Sequence, residues 1–189
     1  MPRPRALTNP AAQRRVSIAF ILLELARNPD EQTKLRESLS RLPPEDWTTS
    51  ERLQRVVKEG MRLHPVARSM RTAGSDVPCP RRRGEVVPRG GLCVANFLML
   101  FRNHDVFADP DKFLSDRWEE PTREMLDAFQ PFSLGRRNCV GQSLARAEIF
   151  GIVARICSEF ELEVEEEGRV DFYLTVKPVG ARLRARKVR

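Results

Sequence analysis

The sequence is poor in the features that mark membrane, zinc or disulfide proteins. Its longest apolar stretch, Val16 to Leu23, stops at Glu24, far short of the ~20 residues a membrane-spanning helix needs. That stretch follows Arg14 and Arg15 closely and has no small-residue cleavage site, so it does not read as a signal peptide. Histidine occurs only at positions 64 and 104, and the four cysteines, Cys79, Cys93, Cys139 and Cys157, include no CxxC pair. This argues against a zinc site. Without a signal peptide it also argues against a disulfide scaffold, and a reducing compartment is the expectation. One Tyr and two Trp offer no stacking platform for nucleic acid. There is no internal repeat and no collagen-like Gly period.

What is present is enough for a folded core. The chain has 189 residues, 41% hydrophobic and 31% charged, with a formal net charge of +7. That length fits one domain, or somewhat more. Of the 33 basic residues 28 are Arg, clustered at Arg3 and Arg5, Arg14 and Arg15, Arg81 to Arg83, and Arg182 to Arg189. Such a surface could meet nucleic acid, anionic lipid or an acidic protein. The plainer reading is that Arg is this chain's usual cation on solvated faces.

Residues 1–13 are rich in Pro, Arg and Ala and show no periodicity. A helix is expected from Arg14 to about Asn28, and a second from Asn28-Pro29 to about Ser40, with Asn28 as cap and Asp30 and Glu31 in the first turn. Pro43-Pro44 breaks it. Thr48 and Glu51 have capping-box spacing and open a third helix, which His64-Pro65 stops. Val86-Val87 and Leu92 to Leu98 read as short paired strands around Pro88-Arg89-Gly90-Gly91. Residues 103–138 are irregular, as long functional segments often are. A helix from Val140 to about Glu159 follows. The tail, Val170 to Val188, alternates like a β-hairpin around Pro178 and Gly180.

The chemistry concentrates in Phe132-Ser133-Leu134-Gly135-Arg136-Arg137-Asn138-Cys139-Val140-Gly141. Here a glycine-bearing loop delivers one Cys to the start of a long helix. The helix dipole and the two arginines favour a thiolate there. A thiolate in that setting suits metal ligation or nucleophilic catalysis, and no His base in sequence suggests a protease.

This stretch resembles the haem-binding loop of the cytochrome P-450 (haem-thiolate monooxygenase) family, FxxGxRxCxG, at every specified position. Glu59-Gly60-Met61-Arg62, followed by Leu63-His64-Pro65, resembles the family's ExxR motif. Phe113-Leu114-Ser115-Asp116-Arg117-Trp118 is similar to its F-x-P-E-R-F/W segment. Order and spacing agree, from about Arg14 to the C-terminus.

The resemblance implies a mainly α fold with small antiparallel β elements, the C-terminal portion of the family fold, over residues 14–189, with residues 1–13 outside it. It implies haem b as cofactor and Cys139 as the iron ligand, with Phe132, Gly135 and Gly141 shaping the proximal side. Arg137 and Arg71 match propionate-binding arginines, and Glu59, Arg62 and Arg117 match a buried ion-paired triad. Ser115 stands where the family usually has Pro, and Asp116 where it has Glu. Phe101 stands where His is common and His104 where Pro is common, so His104 reads as a surface loop residue. Counting back from Asn28-Pro29, Ala12 and Gln13 occupy the family's acid–Thr positions, and neither relays protons in the usual way.

The implied activity is insertion of one oxygen atom from O2 into an apolar small molecule. Electrons would come from NAD(P)H through a reductase or ferredoxin docked beside Arg136 and Arg137. Haem-thiolate isomerases and peroxygenases share the Cys loop. A non-catalytic haem-binding remnant is the alternative, and an Arg-rich nucleic-acid or acidic-partner module the third reading. The expected setting is cytoplasmic for the chain as written, and the resemblance also admits a membrane-associated longer relative. The stretch from Pro65 to Met70 is the one expected to reach a substrate pocket.

Overall fold

The computed structural model describes residues 10–67, 69–73, 92–172 and 176–188. Helix α1 (Pro10–Arg27) begins at Pro10, four residues before the expected start. Proline is at home in a first helical turn, where its missing N–H costs nothing. The Ala12 and Gln13 positions are therefore helical.

Helix α2 (Pro29–Ser40) starts with Pro in its first turn, as expected, but Asn28 makes no side-chain cap. Its amide donates instead to the Glu24 carbonyl at 2.8 Å, closing the end of α1. A 3-10 turn, Pro44–Thr49, follows, and Trp47 Nε1 donates to the Leu39 carbonyl at 3.1 Å. Helix α3 (Glu51–Leu63) is capped by Ser50, whose hydroxyl accepts from the Leu53 amide, so the Thr48 capping box does not form.

Strand β1 (Ser69–Ala73) pairs antiparallel with β2 (Leu92–Asn96). The expected partner, Val86-Val87, lies outside the described residues. The second strand ends at Asn96 rather than Leu98. Asn96 accepts from the Met99 amide and starts the short helix α4 (Phe97–Phe101). The segment from Arg102 to Asn138 is irregular apart from helix α5 (Arg123–Ala128) and two 3-10 turns, Ser115–Trp118 and Gly135–Arg137.

Helix α6 (Gln142–Glu159) starts two residues later than expected, with Gly141 at its cap. The tail also departs from the expected single hairpin. Strand β3 (Phe160–Glu166) pairs with β6 (Arg182–Lys187), while β4 (Arg169–Phe172) pairs with β5 (Val176–Val179) inside that loop. Glu161, Glu163 and Glu166 face Arg186, Arg184 and Arg182 across the β3–β6 ladder, and opposite charges there are favourable.

The core is built from one face each of α1, α2, α3 and α6. Ile21, Leu25, Leu35, Leu39, Leu53, Val56, Val153 and Cys157 are fully buried in one cluster. α1 and α3 approach so closely at Gly60 that a Cβ there would collide with the Ile21 side chain. A second cluster, Phe107, Trp118, Met125 and Ala128, sits under the irregular segment. Among the described residues no helix is long and apolar enough to cross a membrane.

Candidate functional site

Helix α3 anchors the site through two charged residues with no solvent exposure, Glu59 and Arg62. The helical i,i+3 spacing puts both on one face, and burial forces every polar atom to find a partner. Arg62 donates from Nε to Glu59 Oε2 at 2.9 Å and from Nη2 to Oε1 at 2.8 Å. Its Nη1 reaches the carbonyls of Phe101 and Pro110 at 2.8 and 2.7 Å, and Nη2 also reaches Lys112. Arg117 Nε donates to Glu59 Oε1 at 3.0 Å, Trp118 Nε1 to Oε2 at 2.9 Å, and the Leu114 amide to Oε1 at 3.0 Å. Glu59, Arg62 and Arg117 thus meet at one point, and backbone carbonyls between residues 101 and 112 fasten the irregular segment to α3.

Ser115 and Asp116 extend this anchor to α2. The Ser115 hydroxyl donates to Glu31 and accepts from Arg52 Nη1 at 2.8 Å. Partial burial raises the Asp116 carboxyl, but Arg52 and Lys34 outweigh it and hold it below its ordinary range. The departures from the family pattern at these two positions therefore have partners of their own.

The segment so fastened leads into the cysteine loop. Ser133 and Gly135 have positive φ, 62° and 71°, and glycine takes that conformation without strain. The Cys139 amide donates to the Phe132 carbonyl at 2.9 Å, closing the loop, and the Cys139 carbonyl accepts from the Gln142 amide at 3.2 Å. Cys139 therefore precedes α6 rather than opening it. It is a free, exposed thiol. Cys157, on the buried face of α6, differs sharply: burial pushes its thiol up to about 12 against the opposing charge of Arg36. It is inert at neutral pH.

Cys139 lines a cavity of about 280 Å3. Gln13, Arg14 and Ser17 of α1 form one part of the wall, and Met61 and His64 to Ala67 another. Phe97 and Phe101 of α4 line it as well, as do Phe132, Gly141, Ala145 and Ile149. Phe101 is fully buried and packs on Phe97 and Phe129, with ring centroids 5.5 and 5.4 Å away. The Phe132 ring is covered by the Arg146 guanidinium at 5.4 Å.

The wall is mainly apolar, with polar groups from Gln13, Arg14, Ser17 and His64, and Cys139 is its one thiol among the described residues. Among the described residues no group of three or more His, Cys, Asp and Glu could hold a bare ion. One thiol in aromatic walls, with open space where Gly141 would carry a Cβ, fits a metal already held in a planar macrocycle.

Arg71 lies in β1 opposite Val94, and Arg137 ends the 3-10 turn before Cys139. The side chains of both lie outside the described residues. Arg136 and His104 are exposed. Of the expected pocket stretch, Pro65 to Ala67 lines the cavity, Arg68 lies outside the described residues, and Ser69 and Met70 are described by backbone alone.

Sequence reasoning missed one buried cluster on the cavity wall. His64 stacks on Phe20, centroids 4.3 Å apart, and its Nε2 is 2.9 Å from Glu24 Oε1. Burial raises the Glu24 carboxyl, but the hydrogen bonds and charges of His64 and Arg27 outweigh it, leaving it below its ordinary value. The signal was a lone carboxylate inside the apolar run Phe20 to Leu25.

The family profile described as "Cytochrome P450" matches residues 15–182. "Cytochrome P450 4F6" of Rattus norvegicus is 34% identical over 145 residues, covering 70% of this chain and 27% of that protein. "Cytochrome P450 3A25" of Mus musculus is 29% identical over 173 residues, covering 86% of this chain and 34% of that protein. The chain thus spans about a third of the length of the curated relatives it matches. The fold is similar to the crystal structure of a cytochrome P450, CYP102L1, with a TM-score of 0.82 at 24% identity, over 94% of this chain and 43% of that one.

Proposed function

The chain belongs to the cytochrome P-450 family, and on that premise we propose that it forms the haem-ligating part of a monooxygenase, in which Cys139 would hold the iron of haem b. The carrying observation is the free Cys139 thiol on the wall of an aromatic cavity, between Phe132 and Gly141. When bound, haem supplies the iron at which dioxygen is activated, and a thiolate ligand favours O–O cleavage.

The chain's own residues do the rest. Phe132, whose carbonyl accepts from the Cys139 amide, would shield the sulfur from water once the ring is bound, which tunes the metal's potential. Gly135 makes the turn that returns the chain to Cys139, and Gly141 leaves room for the ring. By the family motif, Arg71 and Arg137 would hold the propionates of the bound haem. Arg136 and Arg137 make the loop basic and draw in an acidic reductase or ferredoxin carrying electrons from NAD(P)H. Phe97, Phe101 and Val66 suit an apolar substrate. Glu59, Arg62 and Arg117 hold the frame and take no part in the chemistry.

A second reading, haem binding without catalysis, draws on Ala12 and Gln13 in α1, which carry no titratable proton. Haem titration followed by reduction under carbon monoxide tests the first claim. The red-shifted Soret band of thiolate ligation is expected in the wild type and absent from Cys139→Ala. A band that survives the substitution overturns the assignment of Cys139. A haem-loaded chain that shows the band but forms no product with any electron donor supports the second reading.

A further inference from the structure

Oxygen insertion takes up protons together with electrons, so its cavity needs a group that holds a proton near neutral pH and can release it. Among the described residues, Arg14, His64 and Cys139 are the ionisable groups lining the cavity. Arg14 is tied to Glu148, and a guanidinium does not give up its proton. Cys139 is committed as a ligand in the reading above. Gln13, also on the wall, is a carboxamide. Imidazole, by contrast, ordinarily titrates within the physiological range.

We propose that His64 is the proton donor of this cavity and that Glu24 is its positioning residue; this rests on the haem-thiolate reading. The ring lies flat on Phe20, with an interplanar angle of 1°. Its Nε2 is held 2.9 Å from Glu24 Oε1. Glu24 is itself buried, 6% exposed, and fixed by Arg27 Nη1 at 2.6 Å on the same oxygen. With Nε2–H donating to Glu24, Nδ1 is left to exchange protons, and among the described residues none hydrogen-bonds to it. The charged groups linked to the ring are Glu24, with Arg27 on Glu24 and Glu167 on Arg27; Arg14 lines the same cavity, and Arg102 donates to the carbonyl of the preceding residue, Leu63, at 2.9 Å.

The step exchanges no electrons. The Nδ1–H bond of the imidazolium breaks, the electron pair stays on Nδ1, and the proton passes to oxygen in the cavity. A neutral Nε2–H ring remains bonded to the Glu24 carboxylate, and water returns a proton to Nδ1. A fixed tautomer beside a carboxylate is what such a cycle requires.

The test follows reoxidation of the reduced, haem-loaded chain by dioxygen, in H2O and in D2O, between about pH 5 and 8. The wild type is expected to react faster towards acid and more slowly in D2O. His64→Phe keeps a ring for the Phe20 stack, loses the pH dependence and slows by about 100-fold, the low end of what a positioned proton donor contributes. Should His64→Phe fail to fold, His64→Gln carries the same expectation. Nitrogen NMR of the wild type, which needs no variant, should show the Nε2–H tautomer for His64, with that preference reduced in Glu24→Gln. A His64→Phe protein that keeps both the wild-type pH profile and the red-shifted carbon monoxide band overturns the proposal and leaves the haem-thiolate reading standing. An Nδ1–H tautomer in the wild type overturns it equally. Absence of the band from the wild type overturns both.

Discussion

Glu59 shows how much a single buried carboxylate can hold. It accepts from Arg62, Arg117, Trp118 and the Leu114 amide, so its loss leaves two buried guanidiniums without their counter-charge. Removing one partner of a buried ion pair costs roughly 3–5 kcal/mol. Glu59→Gln should lose that much by chemical denaturation, with the segment from Arg102 to Trp118 released first in hydrogen exchange. The Glu59–Arg62 pair was legible because helical spacing alone brings i and i+3 together. Trp118 and the carbonyls of Phe101 and Pro110 were not, since they come from distant irregular chain. Glu24 yields a pH prediction. Its carboxyl, lowered by His64 and Arg27 against the effect of burial, lies below the ~4.3 of an unfolded glutamate. The stabilisation is therefore complete above that unfolded value and is lost as pH falls through the folded value. Urea denaturation should show wild type more stable than Glu24→Gln near neutrality, with the gap closing as the solution is acidified below about pH 4. A gap that widens in acid would contradict the assignment.

At the scale of elements, helices were read better than strands. Apolar periodicity together with Pro and cap signals located α1, α2, α3 and α6, and errors fell at their ends, where caps decide. Ser50 rather than Thr48 caps α3, and Gly141 rather than Cys139 borders α6. The strand partners depended on distant chain: β6 alternates as expected but finds β3, whose Glu-rich face complements its arginines. The exposed pairs Arg184–Glu165 and Arg186–Glu163, at 2.9 and 3.3 Å, favour this register while contributing little stability each. The crossing of α1 and α3 is the most demanding packing point. Gly60→Ala drives a methyl group into Ile21, and overpacking of this kind costs typically 1–3 kcal/mol. A fall in Tm with that loss is expected, while Gly151→Ala, where nothing lies within 4 Å of the added Cβ, should be neutral or mildly stabilising.

For the whole molecule, the four-helix core and the ion-paired frame converge on one job, presenting the Cys139 loop to a cavity. The cysteine loop was readable as a motif because its glycines, arginine and Cys sit in fixed order. Of the cavity only Pro65 to Ala67 was readable, because its other walls come from α1, the end of α3 and α4. Of the residues behind the +7 charge, Arg136 stands exposed within the thiol loop. The central claim is that Cys139 sulfur binds the haem iron, and X-ray absorption at the iron edge of the haem-loaded chain tests it most directly. A sulfur neighbour in the wild-type spectrum that disappears in Cys139→Ala is the predicted result. A wild-type iron with only nitrogen and oxygen neighbours, or a sulfur that persists in Cys139→Ala, would contradict it.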